Sequence, residues 1–341
     1  MSTTSPAANA VPKVSVFMMA YNHAPYIGQA LDSALAQQTS FTVEIVVGED
    51  CSTDDTRSII MGYMQRYPGR IRALFHDINI GASLNQVLVL EACTGQYIAM
   101  LEGDDYWTDP CKLQKQVDFL DKNLDFALCV HNQAIVSANG SLTGKLVNSV
   151  QPFDTYTVEQ LAKGNIIPSA SSVYRNNMTA GPLSTGVPEW FKNVKLGDYC
   201  LHMLMARFGK IKYLPGVMGA YRVHEQGAWS LQGVAKRNIY LFDSLELLKT
   251  EFDGEVYHEL SAQQLFNLSE IADHSNATPD FNLTEFFAVR QEAILRLIKD
   301  NYSSFIKIHF MQQVALRSAE YRYGAIAIRP LRWLVRKVRK N

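Results

Sequence analysis

Over the first hundred residues, short apolar runs alternate with stretches that carry apolar residues at helical spacing. Val14–Ala20, Val43–Val47, Ile71–Phe75 and Tyr97–Leu101 are too short for helices and too continuously apolar for half-exposed strands, so they predict buried strands. Between them, Ile27, Ala30, Leu31, Ala34 and Leu35 share one helical face behind Pro25, a residue suited to a first turn. Ser52, Thr53, Asp54 and Asp55 offer N-caps to a second helix through Ile59, Ile60, Tyr63 and Met64, closed by Pro68-Gly69. Ser83–Cys93 predicts a third. Strand and helix alternating at this pitch imply right-handed crossovers. The expected class is therefore α/β, with a mostly parallel central sheet and helices on both faces.

Beyond Pro110 a helix through Leu113, Val117 and Leu120 leads into the strand-like run Phe126–Val136. Residues 137–170 are rich in Ser, Asn, Gly and Thr and predict loops, with a short helix near 158–162. A helix over Cys200–Phe208 follows, then two short strands, Ile211–Leu214 and Gly216–Val223. From about Ala235 helical spacing takes over, through Ile239–Leu248, Val256–Ile271, Phe281–Ile298 and Phe305–Leu316. The expected organisation is a disordered N-terminus (1–11), an α/β domain (12–230), a helical C-terminal region (231–328) and a basic amphipathic tail (329–341). In that tail Leu331, Leu334, Val335 and Val338 share a face flanked by Arg and Lys. Such a helix suits an anionic membrane surface, and a solvated basic end has the same composition.

The chain of 341 residues can bury a full core, and its net charge of −1 gives no overall basicity for nucleic acid. Five scattered cysteines without a Cys-x-x-Cys pair argue for a reducing compartment and against a structural zinc site. Met1–Ala10 lacks the basic and apolar regions of a signal peptide, and no run of about 18 apolar residues spans a membrane. The expected location is cytoplasmic, peripheral to the inner membrane face if the tail binds there.

The candidate chemistry lies at the strand exits. Open α/β sheets bind ligands at the carboxyl ends of their strands. Here those ends read Tyr21-Asn22, Glu49-Asp50 and Asp104-Asp105. Their convergence predicts a nucleotide pocket, in which an aromatic ring stacks on a base and carboxylates accept base or ribose donors. Adjacent carboxylates at the end of a buried strand lose hydration and repel each other, a cost that a divalent cation or hydroxyl donors would offset. No Gly-x-Gly-x-x-Gly and no Gly-Lys-Ser/Thr is present, so a diphosphate needs another means of neutralisation, and a metal on Asp105 fits. Asp198 opens a helix and reads either as a cap or as a functional acid. Arg222 and His224 close the last strand, with Arg222 as a phosphate-contact candidate. Trp107 and Trp190 are the aromatic candidates for acceptor contact. Buried, Trp190 would instead be a core anchor.

These pieces resemble the family-two glycosyltransferases of the GT-A fold. The resemblance rests on Val14-Ser15-Val16 through Tyr21-Asn22, Glu49-Asp50-Cys51-Ser52-Thr53-Asp54, Asn79-Ile80-Gly81 with Asn85, and Gly95-Gln96-Tyr97-Ile98. Gly103-Asp104-Asp105-Tyr106-Trp107, Asp198 and Tyr221-Arg222-Val223-His224 complete it, over roughly residues 12–230. It implies an inverting transferase that uses a nucleotide-diphosphate sugar, with uridine the commonest base. Tyr21, Asn22, Glu49, Asp50, Asn79, Gly81, Asn85 and Asp104 would line the donor nucleotide. Asp105 would ligate Mn²⁺ or Mg²⁺ with His224 as a further ligand, and Asp198 would be the general base. The acceptor would be a hydroxyl of a glycan or of a polyprenyl-linked glycan. Two positions depart from the family pattern: Cys51 replaces a glycine, and Gly197 replaces an acidic residue before the base. A nucleotidyltransferase that makes nucleotide sugars and a non-catalytic sugar- or nucleotide-binding module are the alternatives. The first normally carries a glycine-rich basic loop after the first strand, where this chain has Tyr21-Asn22-His23-Ala24-Pro25.

Overall fold

The computed structural model describes residues 11–149, 153–177, 186–225, 227, 233–274 and 282–301. The chain divides into two compact units, residues 1–161 with 165–230 and residues 162–164 with 231–341.

The first unit is built on one mixed sheet. Its early strands are β1 (Val14–Ala20), β2 (Val43–Glu49), β3 (Ile71–Phe75) and β4 (Tyr97–Met100). They run parallel in the order β3-β2-β1-β4, with Val14 of β1 opposite Val43 on one side and Tyr97 on the other. Helices α1 (Ile27–Leu35), α2 (Thr56–Arg66) and α3 (Ala82–Ala92) form the crossovers. β1 is flanked on both edges, and every residue of it except Met19 is buried. This is why it reads as a continuous apolar run rather than an alternation. α1 docks Ile27, Ala30, Leu31 and Ala34 against the sheet, the face its spacing predicts.

The later half departs from an all-parallel plan. β5 (Tyr106–Trp107) precedes α4 (Lys112–Lys122), which is followed by β6 (Phe126–Ser137), β7 (Leu142–Leu146) and β8 (Thr155–Tyr156). After α5 (Val158–Leu161) come β9 (Val173–Arg175), α6 (Gly197–Ala206) and β10 (Lys210–Val223). The sheet continues β4-β9-β6-β10-β5, with β9 antiparallel to both β4 and β6. β9 is three residues long, too short for periodicity to reveal it. The two strands expected over 211–223 are one strand, irregular between Tyr213 and Val217, that pairs parallel to β6 and antiparallel to β5. Part of 137–170, expected as loop, pairs as β7 and β8.

The second unit is helical, with α7 (Val234–Leu248), α8 (Gly254–His274), α9 (Leu283–Val289) and α10 (Gln291–Asp300). Phe242, Leu265, Leu268, Ile271, Phe286, Ile294 and Leu297 form its core. Asn282 caps α9 through Thr284 N and Glu285 N, and Arg290 grips Asp243 with two hydrogen bonds (2.6 and 2.7 Å). The single helix expected over 281–298 breaks at Arg290, between α9 and α10. The helix expected over 305–316 and the tail over 329–341 lie outside the described residues. Among the described residues no helix is long and apolar enough to cross a membrane.

One feature of the first core is costly. Lys112, on α4, is completely buried, and its Nζ has no hydrogen-bond partner. That nitrogen lies 4.1 Å from the centroid of the Trp107 ring. Burial holds its pKa well below the ordinary lysine value, only slightly offset by the Cys129 thiol. With the folded value depressed, the unfolded chain binds the extra proton, so the cost of burying this group shrinks as pH rises from the folded to the unfolded value. Lys112→Met should therefore raise Tm at pH 7 by about 2–4 °C. It should also flatten the alkaline rise in stability relative to wild type, measured by urea melts at pH 7 and pH 9.5. An unchanged difference between the two proteins at the two pH values would show that Lys112 does not titrate this way.

Candidate active site

Three strand exits leave the sheet at one edge. Asp50 N donates to Ala20 O (3.0 Å), and Gly103 N donates to Met19 O (2.9 Å), so the loops after β2 and β4 both start against the end of β1. The polar residues after β2 hold the loop after β1. Asn22 N donates to Ser52 Oγ (3.0 Å), His23 N to Thr56 Oγ1 (2.8 Å) and Ala24 N to Asp54 Oδ2 (3.0 Å). Asn22 Oδ1 accepts in return from Thr53 N (2.8 Å). Asn22 and Cys51 both take left-handed backbone, at φ 55° and 56°. Position 51 thus keeps a conformation that favours glycine, although a cysteine occupies it.

On the nucleotide side, Tyr21 is 44% exposed, as a stacking platform needs to be. The Asp50 carboxylate is turned toward the next loop: Oδ1 accepts from Ile80 N (2.7 Å) and Oδ2 from Gly81 N (3.0 Å). Each oxygen keeps a further lone pair. Asn79 joins the same loop, donating to Asp50 O (3.2 Å) and accepting from Gly81 N (3.1 Å). Two residues expected on the nucleotide stand behind it instead. Glu49 is fully buried, accepts from Ser52 N (2.6 Å) and pairs with Arg57. Asn85 is enclosed, with Nδ2 donating to Gly48 O (3.0 Å) and Oδ1 3.0 Å from His76 Nε2. Their polar groups are spent within the protein, and they brace the end of β2 rather than face a ligand.

The acidic pair after β4 divides. His224 Nε2 lies 3.0 Å from Asp104 Oδ2, and His23 Nε2 lies 3.6 Å from the same oxygen. Asp105 points away and accepts the Arg222 backbone N–H on Oδ1 (2.8 Å). The expected pairing of Asp105 with His224 does not form: Asp104 stands beside His224, because β10 offers Asp105 a backbone N–H and carries His224 past Asp104. Burial pushes the Asp105 carboxyl well above the carboxylate range, and Asp104 and Glu102 add to it. Burial opposes ionisation of Asp104 too. There the hydrogen bond from His224 and the charges of His23 and His224 prevail and bring it below its ordinary value. Asp104 Oδ1 is buried and without a partner.

Arg222, expected on a phosphate, is nearly buried, and its guanidinium donates to Asp104 O (2.9 Å), Ala138 O (2.9 Å) and Gln29 Oε1 (2.6 Å). It also stacks over Tyr26 and Tyr106, with its Cζ 4.7 and 5.3 Å from the ring centroids. Engaged in this way, it braces the acidic pair from behind. Trp107 is likewise enclosed, its indole N–H donating to Ala170 O (2.7 Å), so it anchors the core rather than meeting an acceptor. Trp190 is half-buried in the turn Glu189–Asn193, beside Phe191.

Asp198 lies in the first turn of α6, half-exposed, with Oδ2 accepting from Ser169 Oγ (2.9 Å). Both Asp198 and Asp104 act electrostatically on Glu102, a residue to which the sequence pattern assigns no role. Burial raises Glu102 to about 8, with Asp104 and Asp198 adding to it, so it is protonated at neutral pH and can donate as well as accept. The available signal was its place two residues before Asp104 on the same strand exit. His23 was also missed; its signal was its position directly after Tyr21-Asn22.

Among the described residues no group of three or more His, Cys, Asp or Glu side chains is arranged to hold a metal ion. Asp104 and His224 nevertheless form a two-ligand edge, with an unpartnered carboxylate oxygen beside it. Such a partial set fits a cation that draws its remaining ligands from substrate phosphates.

The chain and its fold have counterparts among known proteins. An uncharacterized protein of Mycobacterium tuberculosis is 38% identical over 216 residues, which are 63% of this chain and 60% of that protein. The chain therefore spans less than two thirds of that relative's length. The crystal structure of S. aureus TarS 1-349 in complex with UDP-GlcNAc superposes with a TM-score of 0.57 at 20% identity, covering 84% of this chain and 80% of that one. The mannosyltransferase PcManGT from Pyrobaculum calidifontis, in complex with GDP-Man and Mn²⁺, gives 0.52 at 18% identity, covering 93% and 89%. The family model described as glycosyl transferase family 2 matches residues 15–177, the stretch that contains all three strand exits. Residues 15–177 therefore match glycosyl transferase family 2, on a fold that the chain shares with these GT-A structures.

Proposed function

We infer that this chain transfers a sugar, with inversion, from a nucleoside diphosphate to a hydroxyl of a glycan or lipid-linked oligosaccharide. The observation that carries this reading is the meeting of Asp104 and His224 at the strand exits. The TarS structure contains UDP-GlcNAc and the mannosyltransferase structure GDP-Man, which supports a nucleotide-sugar donor; a uridine base is part of this reading.

Each side chain then has a task. Tyr21 stacks on the base, and the loop fastened to Asp50 closes around the nucleoside. Asp104 Oδ2 and His224 Nε2 would hold the divalent cation, and their mixture of carboxylate and imidazole suits Mn²⁺ better than Mg²⁺. When bound, that cation supplies charge compensation for the diphosphate leaving group. The Asp198 carboxylate takes the proton from the acceptor hydroxyl. The acceptor oxygen bonds to the anomeric carbon as the bond from that carbon to the diphosphate oxygen breaks, and the electron pair leaves with the diphosphate. Protonated Glu102 can donate to a sugar hydroxyl without adding negative charge beside the base. Trp190 offers a half-buried aromatic face to the acceptor.

General-base assistance is worth about 10²–10⁴-fold. Asp198→Asn should lower kcat by about that factor and leave UDP affinity within twofold; near-normal turnover would remove Asp198 from the mechanism. The donor for this assay comes from a thermal-shift panel of UDP-Glc, UDP-Gal, UDP-GlcNAc and GDP-Man with Mn²⁺.

The division of the acidic pair can be tested by calorimetry with UDP and Mn²⁺. Asp104→Ala should abolish the Mn²⁺-dependent part of UDP binding, whereas Asp105→Asn should keep it and lower thermal stability by weakening the tie to Arg222. The reverse pattern would restore Asp105 as the cation ligand.

The membrane reading rests on the tail sequence alone. Deleting residues 329–341 should release the chain from liposomes containing anionic lipid, and continued co-sedimentation would rule that role out.

A further inference from the structure

Gly197, immediately before Asp198, is glycine for a reason visible across the helix interface. A Cβ at Gly197 would lie 1.9 Å from Gln86 Oε1 and 3.0 Å from Gln86 Cδ, closer than non-bonded atoms approach. The Gln86 carboxamide thus occupies the space in which residue 197 would otherwise carry a side chain. Gln86 is buried on α3, which packs against α6, and its Nε2 has no hydrogen-bond partner. An enclosed amide N–H without a partner costs about 1–3 kcal/mol, so packing alone would be better served here by a leucine or methionine. The orientation of the amide has a physical basis, since the oxygen faces the first turn of α6, where unpaired N–H groups and the helix dipole favour negative charge.

We propose that Gln86 is a positioning residue for Asp198. Its carboxamide wedges against the first turn of α6 and fixes where the neighbouring carboxylate stands in the cleft. The inference rests on the reading of Asp198 as the general base and goes beyond it, because it names what aims that base. Ser169 holds the carboxylate by one oxygen, and Gln86 holds the backbone from which it springs.

The clash at Gly197 involves the end of a flexible side chain, so Gly197→Ala moves the amide without threatening the fold. Alanine is also the better helix former, and the two effects can be read apart. In the full chain, Gly197→Ala should leave Tm unchanged or higher and lower kcat by about tenfold, the scale expected when a catalytic group is displaced by a fraction of an ångström to 1 Å. KM for the nucleotide sugar and UDP–Mn²⁺ affinity should stay within twofold. Gln86→Ala should show the same split. The double variant should turn over faster than either single variant, because the methyl introduced at position 197 then fills the room the amide has left.

Kinetics within twofold of wild type for both single variants would overturn the proposal. So would a double variant no better than either single one, or a rise in KM with kcat unchanged, which would make Gln86 a substrate contact. Failure of the underlying reading is distinguishable. It would appear as an active Asp198→Asn, whereas failure of this inference alone leaves Asp198→Asn inactive and the residue 86 and 197 variants normal.

Discussion

Two adjacent carboxylates, Asp105 buried and Asp104 largely so, set the terms for this edge of the sheet. Like charges about 4–6 Å apart repel by roughly 3–4 kcal/mol even at an effective dielectric near 20, and desolvation adds to that. The fold resolves the conflict by giving each acid a different partner. Asp105 receives a backbone N–H of β10, and burial keeps its carboxyl protonated toward higher pH. Asp104 receives two imidazoles and stays ionised. Arg222 then links the arrangement to the rest of the unit. Its backbone binds Asp105, its Nε binds the Asp104 carbonyl, and its other nitrogens reach Gln29 on α1 and the carbonyl of Ala138 just beyond β6. The antiparallel pairing of β5 with β10 is what brings that backbone N–H within reach.

Behind the site, two side-chain amides pack as closely against glycines as apolar groups would. A Cβ at Gly48 would sit 2.1 Å from Asn85 Oδ1, just as one at Gly197 would meet Gln86. In both places a side-chain amide fills the volume that a larger residue would have claimed. Asn85 is fully bonded, to Gly48 O and His76, and so rigidifies the end of β2 at little cost. Glu49 and Arg57 do the same one residue further on. Loop geometry at the nucleotide side is therefore dictated by hydrogen bonds with directional requirements, which hold a loop more tightly than apolar contacts can.

The sequence showed the sheet edge more clearly than the roles around it. Buried parallel strands are apolar runs, and the polar residues that follow them stand out, so the exits at Tyr21, Asp50 and Asp104 were visible. Period-two alternation also showed that Asp104 and Asp105 diverge. It could not show which of them meets His224, because that depends on the placement of β10, more than a hundred residues away. Glu49, Asn85 and Arg222 have the residue types of ligand contacts, yet they are consumed by internal partners, and nothing in a linear pattern separates a polar group facing a ligand from one facing its own backbone. Trp107 was misjudged for a related reason, since its indole N–H finds Ala170 O across the core. β9 escaped notice because three residues carry no period, and its insertion between β4 and β6 makes the sheet mixed.

On the proposed reading, separating the protonation states of neighbouring acids lets one cleft serve both ends of a displacement. A site that had Glu102, Asp104 and Asp105 all ionised would repel a diphosphate and weaken any hydroxyl donor placed among them. The structure instead leaves Asp104 as the charged member, flanked by imidazoles that can share a cation with it. Glu102 is neutral at physiological pH through burial and through the charges of Asp104 and Asp198, so each acid's state supports the other's. Asp198 is half-open to solvent and held by Ser169, where a hydroxyl can reach it from outside. On the proposed reading, negative charge is then kept on Asp104, where a cation would meet the diphosphate, and Glu102 adds none to that of Asp198. Acid–base chemistry and phosphate binding can then proceed a few residues apart without cancelling each other.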